Sequence, residues 1–594
     1  MFCVFSSLQK IVPLGKVRFL LVAWEYKLRY SSDMKILEIL EHKISEILKE
    51  LGVPNPEVSF EHPGELSHGD FATNVAMQYA KSLGKNPREL AEFIVSEISS
   101  IQGIEKVEVA RPGFINFFLS PEIFYEKISE IDEDYGKNQT QKGKTILVEH
   151  SSPNLFKPFH IGHVMNNTVG ESIARLAEFS GAKVLKISYP SDVSLGIGKA
   201  VWSLLQKGEE NLDALKTTEA KLNFLGQCYV DGTKAFEESE EAQKEIKEIT
   251  RKIYEKEEGR EYAVYLQGKE INLEYFLGET KRLGSSFYEF IFESEAGARG
   301  REIVKENIGK VFEESNNAVI FDGEKRGLHT RVFINSEGYP TYEAKDIGLL
   351  DIKFSRYNPD ISILITDSEQ SEYYKVVLTA ASEINQKWKE KTIHRTHGRM
   401  TFKGKKMSSR LGGVPLASEV LDTVGEEAKE RLEDKEDFAK IDAISIAAIK
   451  FSILKAMAGK NIDFDPETSL SFEGDSGPYL QYTVARCLSI LEKGKGVGLT
   501  AKPQKLKDDE VSALEKYLCR FDEIVEESQK SWAPHHVATY LLVLAREFNS
   551  WYGNTKIIDE ENINVSYNLW LTKSVATTIS NGLHLLGIKY LEKM

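Results

Sequence analysis

The stretch "SSPNLFKPFHIGHVMN", Ser151 to Asn166, lies where one hydrophobic periodicity ends and another begins. Before it, Thr145, Ile146, Leu147 and Val148 are β-branched or apolar and predict a buried strand. After it, Ile161, Met165, Val169, Ile173 and Leu176 recur on one face at helical spacing. Pro158 and the Ser-Ser-Pro-Asn run are loop chemistry. His160 and His163 therefore fall at a helix N-terminus, beyond the C-terminal end of a strand. In an open α/β sheet ligands bind there, and the exposed amides and helix dipole favour anions such as phosphate. Gly162 has no side chain, so a flat ring could lie against its backbone. The two imidazoles could then donate hydrogen bonds to phosphate oxygens. Alone, two histidines three apart read by default as a surface or core-satisfying pair, and a metal pair would need further ligands nearby.

Outward from this unit, a second strand is predicted over Lys183 to Tyr189, so residues 143–200 alternate strand, helix, strand. That order suits a parallel sheet with right-handed crossovers. Residues 34–120 read as a small α+β domain. Helices at 35–51 and near 87–100 flank the loop "ELSHGDFATNVA", and a strand pair, "IEKVEVA" and "GFINFFLS", is joined by Arg111-Pro112-Gly113. Residues 205–315 read as helical and highly charged, a solvated insertion with i,i+4 pairs. Strand patterns return at "AVIFDG", "TRVFIN" and "ISILIT", and from about 416 onward the pattern is nearly all helical.

At 594 residues the chain has room for several domains, and 41% hydrophobic with 28% charged residues is the balance of a soluble globular protein. A net charge of -15 argues against a general polyanion coat but not against local basic patches. Cys3, Cys228, Cys487 and Cys519 are scattered, with no zinc spacing and no disulfide framework, which suits a reducing cytoplasm. No apolar run reaches membrane-spanning length. Met34 opens an amphipathic helix with Ser32 and Asp33 as candidate caps, so residues 1–33 read as an upstream extension of doubtful status.

Three further groups bear on chemistry. In "HRTHGRMTFKGKKMSSRLGG", residues 394–413, the cations Arg395, Arg399, Lys403, Lys405, Lys406 and Arg410 occur with no acid between them. Clustered cations and hydroxyls beside glycines suit a mobile loop that clamps a triphosphate. The other two are "GYPTYEAKD", Gly338 to Asp346, and "SFEGDSGPYLQYTVARCLSI", residues 471–490.

Together the four groups make the chain resemble the class I aminoacyl-tRNA synthetases and, within them, the arginyl-tRNA synthetase family, over almost everything after Met34. The family's HIGH signature is matched by His160-Ile161-Gly162-His163 behind the lead-in "SSPN...KPFH", and its KMSKS signature by Lys406-Met407-Ser408-Ser409-Arg410. "SFEGDSGPYLQY", "GLHLLGIKYLEKM", "HGDFATNVA" and "GFINFFLS" are also similar to family segments. The resemblance implies an α/β multidomain fold. It would hold a domain at 34–120 that contacts the tRNA elbow and a Rossmann-like parallel-sheet catalytic domain at 121–415 with its helical insertion at about 205–315. A helical region at 416–594 would follow, with an all-α anticodon-binding domain at about 476–594. It also implies ligation of L-arginine to tRNA(Arg) through an arginyl-adenylate. ATP would be the substrate with Mg2+, no structural zinc is expected, and a cytoplasmic monomer without membrane association is the family default.

The resemblance assigns roles residue by residue. His160, His163, Lys157, Lys406, Ser408, Ser409 and Arg410 would serve catalysis. Pro153, Phe159, Ile161, Gly162 and Met407 would hold ATP. Glu149, Ser151, Asn154, Tyr342, Asp346 and Gln370 would bind arginine, with Tyr342 and Asp346 lining the guanidinium pocket and Glu149 either near the α-amino end or supporting the pocket. Phe114, Asn116, Tyr482, Arg486 and Trp551 would contact tRNA, although Trp551 and Tyr552 also fit a helix core. Three departures stand out. Ser409 replaces the second lysine of KMSKS, with Lys157 as its substitute. Leu411 stands where a lysine is common, and "YPSDVSLGIGKA" stands where the family often reads "GDWGTQFG", so Asp192 receives no role. The rival readings are a small HIGH-type nucleotidyltransferase, which the length and the helical last third disfavour, and a catalytically inactive RNA-binding paralogue. The latter would be expected to lose His160, His163 or the Ser408-Ser409 loop.

Overall fold

The computed structural model describes residues 32–98, 101–157, 159–403, 415–432, 434–506 and 510–594. They form two compact units. One gathers the described residues up to 133 with 490–520 and 547–577, and the other 134–489, 521–546 and 578–594. Among the described residues no helix is long and apolar enough to cross a membrane.

In the first unit, strands β1 (Phe71–Thr73), β2 (Ile104–Ala110) and β3 (Phe114–Leu119) form an antiparallel sheet in the order β1-β3-β2. β2 and β3 are the expected hairpin, paired from Ala110↔Phe114 outward. β1 lies in the segment read as a loop. It is ordered by Asp70, whose carboxylate accepts the Leu119 amide at 2.9 Å and whose carbonyl meets His62 Nδ1 at 2.7 Å. Gly69 precedes it at φ +102, and a Cβ there would come within 2.8 Å of the Phe117 carbonyl, so only glycine fits. The helix Ser32–Glu50 buries Leu40, Ile44 and Leu48, the expected apolar face. The helix Pro87–Glu97 is capped by Asn86, which accepts the Arg88 amide, and it ends sooner than the sequence pattern suggests.

The second unit is built on a five-stranded parallel sheet of β4 (Thr145–Glu149), β5 (Lys183–Ser188), β6 (Glu289–Phe290), β10 (Ile361–Asp367) and β11 (Thr392–His397). The order is β11-β10-β4-β5-β6. β4 is apolar throughout its middle because both its faces are covered. Ile146 and Val148 pack with Ile173, Ala174 and Ala177 of the helix Ile161–Phe179. Leu147 packs on the other side with Ile187, Ile291, Ala296, Leu349 and Ile352. From β4 the chain builds outward to β5 on one side and later to β10 on the other. The crevice between β4 and β10 is thus the switch point where an open α/β sheet binds ligands.

β6 corrects one expectation: residues 205–315 are not helical throughout, because Glu289–Phe290 pairs with Ile187–Ser188 as the sheet's edge. The helices Thr218–Glu238, Glu240–Glu255 and Arg260–Arg282 pack on Leu195–Lys207, burying Leu225, Cys228, Ile249, Ile253 and Val264. A small antiparallel sheet follows, β7 (Glu313–Ser315), β8 (Ala318–Phe321) and β9 (Arg331–Ile334). It covers Ala344, Ile347 and Leu350 of the helix Tyr342–Tyr357 with Phe312, Phe321 and Phe333. Past residue 416 the helical expectation holds apart from β13 (Ile462–Phe464), which pairs in parallel with β12 (Met400–Phe402).

Candidate active site

The helix Ile161–Phe179 begins where the sequence places it, with His160 as its N-cap. His160 Nδ1 accepts the Gly162 amide at 3.1 Å, and His163 Nδ1 accepts the His160 amide at 3.1 Å. The two rings stack with centroids 3.9 Å apart. Both rings stay neutral. Burial lowers the His160 pKa and the charge of Lys157 lowers it further, while burial and then His160 hold His163 well below the ordinary range. A neutral imidazole whose Nδ1 accepts a backbone amide must carry its proton on Nε2. The signature therefore offers two uncharged N–H donors of fixed tautomer at a helix start. Phe159 stacks on His163 at 4.9 Å and, with Ile161, is buried in the core, so these two apolar residues brace the pair.

The lead-in loop is tied across the switch point. Asn166 donates to the Ile365 carbonyl on β10 at 2.7 Å and accepts the Ser151 amide beyond β4 at 2.5 Å. Ser151 is buried at φ +58, a left-handed conformation that costs a non-glycine residue about 1–3 kcal/mol unless its surroundings fix it. Here its Oγ accepts from Asn167 at 3.0 Å and its carbonyl accepts from Ser188 at 2.8 Å. Pro153 and Leu155 pair through their backbones with Ser191, and the exposed Asn154 bridges the same residue. Lys157 is exposed, its ammonium 5.1 Å from the Tyr229 ring centroid.

Beside β4 lies a buried acidic pocket. Glu149 ends the strand and pairs with buried Lys353, a placement that suits the supporting reading. Asp346 is buried one turn into the helix Tyr342–Tyr357, and its carboxylate accepts the Tyr373 hydroxyl at 2.6 Å. Burial pushes the Asp346 carboxyl up to about 7; the Tyr373 bond opposes the shift, and Glu149 and Glu293 add to it. Tyr342 stands one turn earlier, 58% exposed, with the Lys345 ammonium over its ring. Gln370 is exposed in the short turn after β10.

Sequence reasoning missed three residues here. Glu293 is buried and pairs with Lys345 at 2.7 Å. Tyr189 is buried, and its hydroxyl has no hydrogen-bond partner among the described residues although Glu293, Asp346 and Glu149 all act on it. Asp192 is fully buried. It accepts the Ser294 amide and hydroxyl, each at 2.8 Å, and Lys269 at 2.7 Å, anchoring the helix Glu293–Glu306. The only sequence signal was an acid inside an apolar "YPSDV" run, and its partners lie far along the chain.

The basic segment divides. Arg395 donates to the Ser531 carbonyl, and exposed Arg399 pairs with Asp367 at 3.2 Å and with Glu369, so these two cations are engaged by protein groups. This corrects the reading of all six as one phosphate clamp. Lys406, Met407, Ser408, Ser409 and Arg410 lie outside the described residues. Their segment leaves β12 after Lys403 and resumes at Pro415, whose carbonyl accepts the Ile161 amide at 3.1 Å, while Ala417 donates to Phe159. The described chain thus resumes against the histidine signature. Elsewhere, Phe114 is half-buried and Asn116 buried in β3, and Arg486 lies over the Tyr482 ring at 4.7 Å. Trp551 is half-buried, 6.0 Å from Phe548.

Against known proteins, residues 127–465 match the family model described as tRNA synthetases class I (R), catalytic domain. The chain belongs to the arginyl-tRNA synthetase family. Residues 37–119 match the arginyl tRNA synthetase N terminal domain, and 480–594 match the DALR anticodon binding domain. The arginine–tRNA ligase of Clostridium perfringens is 30% identical over 572 residues, covering 93% of this chain and 99% of that protein. That of Borrelia hermsii is 30% identical over 593 residues, covering 95% and 100%. The solved structure of Thermus thermophilus arginyl-tRNA synthetase superposes with a TM-score of 0.75 at 24% identity, covering 94% of this chain and all of the other, and shares the fold.

Proposed function

We propose that this chain is an arginine–tRNA ligase that joins L-arginine to tRNA(Arg) in two steps. In the first, the carboxylate of arginine attacks the α-phosphorus of ATP, and the bond to the β-phosphate oxygen breaks to release pyrophosphate. In the second, a hydroxyl of the tRNA's 3′-terminal ribose attacks the acyl carbon of arginyl-adenylate and AMP leaves. Mg2+ arrives with ATP as part of the substrate. The chain works as a monomer in the cytoplasm, with its N-terminal domain on the tRNA elbow and its C-terminal helices on the anticodon.

The observation that carries this reading is a combination: neutral imidazole donors of fixed tautomer at the helix start that follows β4, and a buried cluster of carboxylates that includes Glu149 at the end of β4. In-line displacement at phosphorus needs positioning and charge stabilisation more than covalent help. The Nε2–H groups of His160 and His163 are suited to the α-phosphate oxygens. The acids suit a guanidinium, which stays charged and donates in a planar fork, and the unpartnered Tyr189 hydroxyl is available to the same group. Lys157 and the 406–410 segment supply cations for the departing pyrophosphate. An inactive RNA-binding chain would have no use for a buried acid held near neutrality. The test is charging of total tRNA with each of several labelled amino acids and ATP: arginine alone should be transferred, and transfer of another amino acid, or of none, would overturn the reading.

A further inference from the structure

The C-terminal turn, residues 584–589, is gripped by side chains that also reach toward the catalytic loop. Ser172 Oγ donates to the Leu585 carbonyl at 2.8 Å, Arg175 Nη1 to the His584 carbonyl at 3.0 Å, and Gln481 to the Lys589 carbonyl at 2.7 Å. Lys450, wholly buried, donates to the Gly587 carbonyl at 2.8 Å. Four donors thus meet four carbonyls within six residues. These bonds pin the path of the backbone rather than any particular side chain.

Two of the donors, Lys450 and Arg175, have a second duty. Lys450 also donates to the Leu283 carbonyl at 2.5 Å, and Arg175 Nη2 to the Gly284 carbonyl at 3.0 Å. Each staples the C-terminal turn to the turn that follows the helix Arg260–Arg282. The next residue, Ser285, donates to Asn167 Oδ1 at 3.0 Å, and Asn167 Nδ2 donates to Ser151 Oγ at 3.0 Å. A continuous chain of hydrogen bonds therefore runs from residues 584–587 through Arg175 and Lys450, residues 283–285 and Asn167 to Ser151, the left-handed residue that opens the catalytic lead-in loop. Glu171 fixes Arg175 at 2.8 Å and is itself held by Lys186 at 3.1 Å, so the Arg175 fork has one available orientation. Burial lowers the Lys450 pKa to about 7, and a buried N–H donor is costly without acceptors whether or not it is charged. Without the C-terminal carbonyls, Lys450 would lose one of its two acceptors and Arg175 one of its three.

We propose that the C-terminal turn holds the catalytic loop in its working conformation, with Arg175 and Lys450 as positioning residues for arginyl-adenylate formation. Neither touches the reacting atoms. They act through residues 283–285 and Asn167 on Ser151, whose strained backbone stays in place only while several contacts determine it together. The proposal rests on the arginine-activating reading of the site, and exchange by the unaltered chain in the same assay tests that reading separately.

The experiment compares full-length Arg175→Lys and Ser172→Ala with the unaltered chain in arginine-dependent ATP–pyrophosphate exchange with tRNA present, alongside thermal unfolding and hydrogen exchange. Lysine keeps the charge of Arg175 but donates from a single nitrogen, so it cannot span acceptors that Nε, Nη1 and Nη2 of the planar fork reach separately. The expected result for Arg175→Lys is a kcat lower by about tenfold or more, as small misplacements of reacting groups produce, with KM for arginine and for ATP within about twofold. Amide exchange should quicken in residues 150–156 while β4, β10 and β11 keep their protection. Ser172→Ala should show the same pattern at smaller amplitude, and it carries the test alone if Arg175→Lys does not fold. In a double-mutant cycle, Arg175→Lys and Asn167→Ala should cost less together than the sum of their separate effects, because they cut one chain of contacts. A folded Arg175→Lys enzyme with unchanged kcat would overturn the proposal. So would protection lost evenly over the whole unit, or additive losses in the cycle, since each would make the C-terminal turn a packing element only.

Discussion

Asp346 shows how burial sets chemistry at a single residue. A carboxyl held up to about 7 is partly protonated in the empty pocket at neutral pH. The guanidinium of arginine favours the ionised form, so binding below pH 7 must release a proton. The sign follows: as pH falls through 7, KM for arginine should rise toward tenfold per unit, while KM for ATP stays flat. Calorimetry in buffers of different ionisation enthalpy would count the released proton, and a pH-independent KM for arginine would remove Asp346 from the pocket. Asp346→Asn keeps the shape and removes the charge, which should cost about 2–5 kcal/mol, read as a rise in KM for arginine far above that for ATP. The neighbouring cation behaves differently. Lys157 is exposed yet close enough to depress the basicity of His160, so its charge acts on the signature pair. Lys157→Ala should slow arginyl-adenylate formation by roughly 10²–10³, the loss of one preorganised contact to charge that builds in the transition state. KM for arginine should hardly move, and adding Ser409→Lys should restore part of the rate. Near-normal pyrophosphate exchange in Lys157→Ala would assign the charge to another cation.

At the scale of elements, the pocket depends on how closely two helices approach. Glu293–Glu306 carries Glu293, and Tyr342–Tyr357 carries Tyr342 and Asp346. They cross at Gly300 and Gly348: a Cβ on Gly300 would stand 1.8 Å from the Ala344 carbonyl, and one on Gly348 1.9 Å from that of Ala296. Gly300→Ala must push the helices apart, so Tm should fall and KM for arginine should rise together; a change in Tm alone would uncouple the crossing from the pocket. The sequence showed the strand Thr145–Glu149 and the histidine helix because each carries a clear period over several turns or alternations. It could not show β6, since two residues have no period, and their strand identity comes wholly from pairing with Ile187 and Ser188. Likewise the work of Asp192 is invisible locally, because its partners Ser294 and Lys269 are brought to it by folding. The histidine pair was legible as the start of a helix beyond a strand end. That its tautomers are fixed by the backbone amides of Gly162 and His160 required the geometry.

For the whole molecule the governing number is the net charge of -15, which repels a polyanion at long range. Affinity for tRNA must then come from short-range contacts, and those made by stacking are barely screened by salt. In the helix His535–Asn554, Trp551 is half-buried against Phe548 and Tyr552 is 41% exposed, its ring stacked 6.3 Å from that of Phe548. Partial exposure of two adjacent aromatic rings is costly to a core and useful to a platform for bases, and the sequence alone left both readings open for Trp551. If the ring receives an anticodon base, Trp551→Ala should remove about 1–3 kcal/mol of binding, seen as a roughly 5–150-fold rise in KM for tRNA. The slope of log KM against log salt should stay unchanged, because no phosphate contact is lost. Pyrophosphate exchange at saturating tRNA should also be unaltered, since the substitution leaves the catalytic unit as it was. A variant with normal KM for tRNA but a markedly lower Tm would return Trp551 to the hydrophobic core.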